Sequence, residues 1–131
     1  MPIWIRGNTS SNIFILHLHG GPGGSSIQEA EEGPYRFLEK DYAVVYWDQR
    51  ASGASQGNPT PKTISMDQMV EDVEKVIAII RHQYKSSAKI FLLGHSWGGA
   101  LGTAYLIKGN NQLNIQGWIE QDGAHNFKKG L

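Results

Sequence analysis

Three observations in this 131-residue sequence predict an α/β fold with a mostly parallel sheet. Apolar runs of strand length alternate with helical patterns, glycine-rich turns close several of those runs, and the central runs are apolar almost throughout instead of alternating with polar residues. A strand without polar alternation is covered on both faces, as happens when crossover helices lie above and below a parallel sheet. At this length a single domain spanning residues 1–131 is expected.

Taken in order, the first two strands are expected at residues 2–6 and 13–18. The turn formers Gly7-Asn8-Thr9-Ser10-Ser11-Asn12 between them are short enough for an antiparallel hairpin. The second strand runs into His19-Gly20-Gly21-Pro22-Gly23. A short amphipathic stretch at 35–38 precedes a third strand at 42–48, whose apolar character places it in the sheet interior. Residues 49–63 form a long loop rich in Gly, Ser, Asn and Pro. Ser65 and Gln68 then make a capping box for a helix ending near Tyr84, with Met69, Val70, Val73, Val76, Ile77, Ile80 and Tyr84 on one face. A strand at 89–93, a sharp turn at 94–98, a helix to 106 or 107 and a last strand at 115–121 complete the pattern.

Composition narrows the function classes. Twelve Lys and Arg balance twelve Asp and Glu, so no basic field draws the chain to nucleic acid or to an acidic membrane. No apolar run approaches the roughly 20 residues of a spanning helix, and the start lacks the basic region of a signal peptide. The absence of cysteine removes disulfides and thiolate metal sites and is compatible with a cytoplasmic location. No histidine pattern has metal-ligand spacing, so no metal or other cofactor is expected.

Two segments match G-x-S-x-G: Gly53-Ala54-Ser55-Gln56-Gly57 and Gly94-His95-Ser96-Trp97-Gly98. Context separates them. Ser55 lies in a loop with Pro59 and Pro61 behind it, whereas Ser96 follows an apolar strand and opens a helix of small residues. Glycines on both sides, Gly94 and Gly98, let a nucleophile occupy a strained strand-to-helix turn. Ser96 is therefore the candidate nucleophile. Acyl transfer also needs donors aimed at the developing oxyanion. The backbone N–H of Trp97, at the helix start, supplies one candidate; the glycine loop supplies the other, with Gly21 preferred and Gly20 as fallback.

Three motifs in register, HGGPG at 19–23, Asp48-Gln49-Arg50 followed by Ser52-Gly53, and Gly94-His95-Ser96-Trp97-Gly98-Gly99, resemble the proline iminopeptidase-type α/β-hydrolases. The resemblance implies a serine hydrolase acting on peptides with an N-terminal proline or, in relatives, on esters and amides. It assigns Ser96 as nucleophile and Gly21 and Trp97 as oxyanion donors. It departs at Ala51, where the family usually has glycine. It also implies that the cap, the triad acid, the triad histidine and the amine-recognising carboxylates lie beyond residue 131, so the chain corresponds to a truncated N-terminal part of the fold and is expected to be weakly active or inactive alone. A non-catalytic ligand-binding or self-associating remnant of the fold is the alternative. The sheet edge at 115–121 is expected to pair with a second copy or a complementing chain.

The remaining polar residues divide into support and surface. His19 and Gly23 are expected to support the glycine loop and His95 the elbow, with His17 in the core or at an interface and His82 on the helix surface. Asp48 and Arg50 are expected to organise their loop through an ion pair or backbone bonds. Glu29, Glu31 and Glu32 read as a solvated acidic face. Asp122 and His125 are a weaker acid–base candidate, because a local turn rarely lets one imidazole face both its acid and a distant serine.

Overall fold

The computed structural model describes residues 1–125. Five strands form one sheet in the order β1-β3-β2-β4-β5, with β1 at Ile3–Gly7, β2 at Ile13–Leu18, β3 at Ala43–Trp47, β4 at Lys89–His95 and β5 at Gly117–Gln121. All neighbours run parallel except β1, which is antiparallel to β3. Three α-helices connect them: α1 at Ser26–Glu32, α2 at Met66–Gln83 and α3 at Trp97–Ile107. The expected α/β architecture is present, and no helix among the described residues is long and apolar enough to cross a membrane.

The two faces of the central strands are both buried, for the reason their composition suggested. Phe14, Leu16 and Leu18 of β2, Ala43, Val45 and Trp47 of β3, and Ile90 and Leu92 of β4 pack against Val73, Val76, Ile77 and Ile80 of α2 and Leu101 and Tyr105 of α3. The alternate residues, Ile15, Val44, Tyr46 and Leu93, face Ala30 of α1 and Tyr35. The long helix begins where its capping box places it, with Ser65 Oγ accepting the Gln68 N–H at 3.2 Å.

Three expectations change. Residues 7–12 do not close a hairpin, because β3 lies between β1 and β2. The link of five residues, 8–12, readily spans the two strand spacings, about 10 Å, that this requires. Here it forms a 3₁₀ turn, Thr9–Ser11, anchored by Asn8. Placing the half-buried β1 at the edge gives the fully buried β3 a neighbour on each side. The second change is α1, which was not anticipated, although Ser25 accepts the Gln28 N–H as a capping pair. The amphipathic stretch after it is a 3₁₀ helix, Pro34–Lys40, with Tyr35 buried. The third is β5, which starts at Gly117 after a 3₁₀ turn at Asn111–Asn114.

Candidate active site

The chain leaves β2 for β3 on one side and returns past β2 to β4 on the other, so the carboxyl ends of β2 and β4 are adjacent and flank a topological switch point, the usual crevice of an open α/β sheet. Leu18 and Gly94 are register partners there. Ser96, immediately after β4, has φ 52° and ψ −113°, a strained conformation for a residue with a side chain. The strain is held by backbone bonds. Ser96 N–H donates to Gln121 O at 3.0 Å, and Ser96 O accepts from Gly99 and Ala124, each at 2.9 Å. Gly98 admits no side chain, since a Cβ there would sit 1.8 Å from Leu18 O. The first turn of α3 therefore rests directly on the end of β2.

The glycine loop packs against the elbow. A Cβ on Gly20 would lie 3.5 Å from Ser96 Cβ, so the loop and the serine are neighbours. Gly21 and Gly23, at φ 131° and 98°, use the left-handed backbone region that glycine tolerates. His19 is bonded on both ring nitrogens: its Nδ1 is 2.7 Å from Gly20 O, and its Nε2 accepts Gln49 N–H at 3.0 Å. This fixes the tautomer with the proton on Nδ1. Burial lowers the His19 pKa, in keeping with a neutral ring. Gln49 extends the link, its Nε2 donating to His19 O at 3.0 Å and its Oε1 accepting Trp97 Nε1–H at 3.1 Å. The N–H of Gly20, the fallback oxyanion donor, donates to Glu29 Oε1 at 2.9 Å.

Glu29 is not part of a solvated acidic face. Its Oε2 lies 3.1 Å from His17 Nε2, an ion-pair distance without the alignment of a hydrogen bond, and 3.3 Å from His95 Nδ1. Burial alone would raise the Glu29 pKa. Its contacts with His17 and Gly20 N–H and the His95 charge outweigh burial and hold it at about 2. His17 is fully buried, with Nδ1 2.8 Å from Ser26 Oγ and its ring 4.6 Å from that of Tyr35. Tyr35 donates to Gln121 Oε1 at 2.9 Å, and burial, with the Glu29 charge, pushes its pKa up to about 12. Glu29, Tyr35, His95 and Gln121 line an open cleft beside the elbow, together with Gly24 and Ser25.

Asp48 and Arg50 bond to different partners. The buried Asp48 carboxylate accepts Ser26 N–H at 2.7 Å, Ser25 Oγ–H at 3.2 Å and Ala54 N–H at 2.8 Å, tying the start of α1 to the loop after β3. Arg50 instead makes a bidentate pair with Asp72 of α2, at 2.7 and 2.8 Å. His82 is exposed, and Ser55 Oγ–H donates to Asp48 O at 2.6 Å in a loop role. Among the described residues no group of three or more His, Asp or Glu side chains could hold a metal ion.

The model of the family described as serine aminopeptidase, S33, matches residues 10–124. The chain belongs to this family. It is 37% identical over 116 residues to a proline iminopeptidase of Saccharolobus solfataricus, covering 86% of this chain and 34% of that protein. It is 33% identical over 100 residues to a probable aminopeptidase of Bacillus subtilis, covering 76% of this chain and 31% of that protein. The chain thus spans about a third of the length of these curated relatives. The crystal structure of a proline iminopeptidase-related protein from Thermus thermophilus superposes with a TM-score of 0.70 at 24% identity, over 90% of this chain and 39% of that one, which shows the shared α/β-hydrolase fold.

Ala51 keeps φ 59°, the left-handed region suited to glycine, so the departure alters the strain at that position and not its conformation. Asp122 and His125, the weaker acid–base candidate, flank a tight turn at the end of β5. His125 Nε2 lies 2.6 Å from Glu120 Oε1, because the turn at Asp122, φ 49°, and Gly123 folds the imidazole back over the end of β5. Glu29, Gln49 and Asp72 were the residues that sequence reasoning passed over. Gln49 stood inside a motif and Ser25–Gln28 signalled the helix carrying Glu29, but Asp72 had only its helix-face position.

Proposed function

We propose that the chain supplies the nucleophile and oxyanion-binding part of a serine hydrolase, an aminopeptidase or an esterase or amidase acting on small peptides, esters or amides. Ser96 is the nucleophile, and the N–H groups of Trp97 and Gly21 are the oxyanion donors. The observation that carries this reading is the strained Ser96 at the head of α3, beside the glycine loop. The helix start favours negative charge where a tetrahedral oxyanion would form. The similarity to proline iminopeptidases supports the substrate class. A cytoplasmic location belongs to the same proposal.

A serine at its ordinary pKa needs an adjacent base. His125, the one histidine after Ser96 in the sequence, is held by Glu120. The 131 residues alone are therefore proposed to turn over slowly, with the residual acceleration of roughly 10³ to 10⁴ over water that binding and oxyanion donors leave to a protease stripped of its triad. The engagement of His125 also favours a second reading, a ligand-binding or self-associating protein that has the fold without turnover. A fluorophosphonate with peptide mapping tests the first reading: labelling at Ser96, slow without an adjacent base and lost in Ser96→Ala, is expected. Labelling elsewhere, or none, sinks it. With p-nitrophenyl acetate or proline p-nitroanilide, turnover of about 1 s⁻¹ or more, abolished by both Ser96→Ala and His125→Ala, would refute the slow-turnover part.

A further inference from the structure

Glu29 lies outside all three motifs, yet one carboxylate joins the segments that shape the crevice. Oε1 accepts the Gly20 N–H at 2.9 Å, and Oε2 sits 3.3 Å from His95 Nδ1 at the elbow and 3.1 Å from His17 Nε2 in β2. Its helix is itself fixed: Ser26 N–H donates to Asp48 at 2.7 Å, and Ser26 Oγ lies 2.8 Å from the buried His17. A Cβ on Gly20 would be 3.3 Å from both Glu29 Oε1 and His95 Nδ1 and 3.5 Å from Ser96 Cβ, so glutamate, imidazole and serine converge on one point of the glycine loop.

We propose that Glu29 is a positioning residue, which clamps the glycine loop to the elbow by holding Gly20 N–H, so that Gly21 N–H is the loop donor left to face an oxyanion on Ser96. The proposal rests on the serine-hydrolase reading above. An anion converging on the same point as Ser96 gives a developing oxyanion no stabilisation of its own, so its benefit has to act through the backbone it holds. The bond it makes is charge-assisted, among the stronger kinds available to a backbone N–H. A displacement of the loop by about 1 Å is enough to cost about 100-fold in rate.

The test uses the full chain and four forms: wild type, Glu29→Ala, Glu29→Asp and Glu29→Gln, each checked for folding by circular dichroism and urea midpoint. Two quantities are measured, the rate of fluorophosphonate modification of Ser96, resolved into its maximal rate and half-saturating concentration, and the hydrogen exchange of the Gly20 amide by NMR. Glu29→Ala is expected to lower the maximal rate about 10- to 100-fold with little change in half-saturation, and to lower Gly20 protection at least about 10-fold. Glu29→Asp, one methylene too short, should behave like the alanine variant. Glu29→Gln keeps an oxygen for Gly20 N–H and should stay within about fivefold of wild type. Wild-type labelling by Glu29→Ala, or a glutamine variant as impaired as the alanine one, overturns the proposal. If wild type is not labelled at all, the hydrolase reading fails and the oxyanion role falls with it; Gly20 exchange then decides the clamp by itself, and unchanged protection in Glu29→Ala overturns that as well.

Discussion

Replacing Gly98 by alanine would put a methyl carbon 1.8 Å from the Leu18 carbonyl oxygen and 2.6 Å from the carbonyl carbon. Both are backbone atoms of a central strand paired on each side, so neither can swing away as a side-chain end could. Relief requires the start of α3 and the end of β2 to separate by about 1.5 Å to reach ordinary contact. Overpacking of this kind costs about 1–3 kcal/mol, and a clash this severe belongs at the upper end. Alanine's helix preference returns at most about 1 kcal/mol. The steric effect therefore wins, and the expected net loss is about 2 kcal/mol or more, against a typical total stability of about 5–15 kcal/mol. In urea, with a slope of about 1–3 kcal/mol per molar, the midpoint should fall by about 1 M. Gly57→Ala, where a Cβ would meet nothing within 4 Å, is the control and should change stability by less than about 0.5 kcal/mol. The same separation moves Ser96 away from Gly20, so labelling should slow in parallel. A Gly98→Ala chain as stable as the control would refute the close seating of α3 on β2.

Asp72→Ala strips the partly buried Arg50 of both its bonds and should cost about 2–3 kcal/mol in urea unfolding; a loss under about 1 kcal/mol would show the pair to be solvated. The Glu29 carboxyl, held at about 2 against an ordinary 4.5, favours the folded state when ionised. Its contribution is present above pH 4.5 and lost as pH falls toward 2, so wild type should lose more stability than Glu29→Gln between pH 6 and 3, and parallel stability profiles would refute this. Among the described residues β5 pairs only with β4 and exposes Ile119, so a second copy is expected to add β5 to β5; a clean monomer by light scattering at high concentration would count against it, and Ile119→Lys should weaken the association.

The resemblance and the motifs were legible because local chemistry writes them. A strained serine turn demands Gly94 and Gly98, a loop approaching it demands Gly20 and Gly21, and a helix start at Met66 demands the Ser65 cap. The interior position of β3 was legible as well, since burial on two faces leaves no polar alternation. The partner of β1 was not, because a five-residue link permits either a hairpin or a passage across β3, and only the competition of strands for burial decides between them.

Glu29 marks the boundary between the two kinds of information most clearly. By sequence alone the residues Glu29, Glu31 and Glu32 form one charged cluster, yet the structure gives them different surroundings: Glu31 meets Arg6 at the surface, while Glu29 turns inward to Gly20, His17 and His95. Asp48 and Arg50 tell the same story, two positions apart in sequence but bound to α1 and α2 respectively. Sequence by itself determined which backbone conformations the chain could reach and which faces had to be buried, because those depend on each residue and its near neighbours. Tertiary structure alone decided which polar groups meet, because a hydrogen bond or ion pair depends on the approach of segments far apart in the chain, and residue spacing carries no record of that approach.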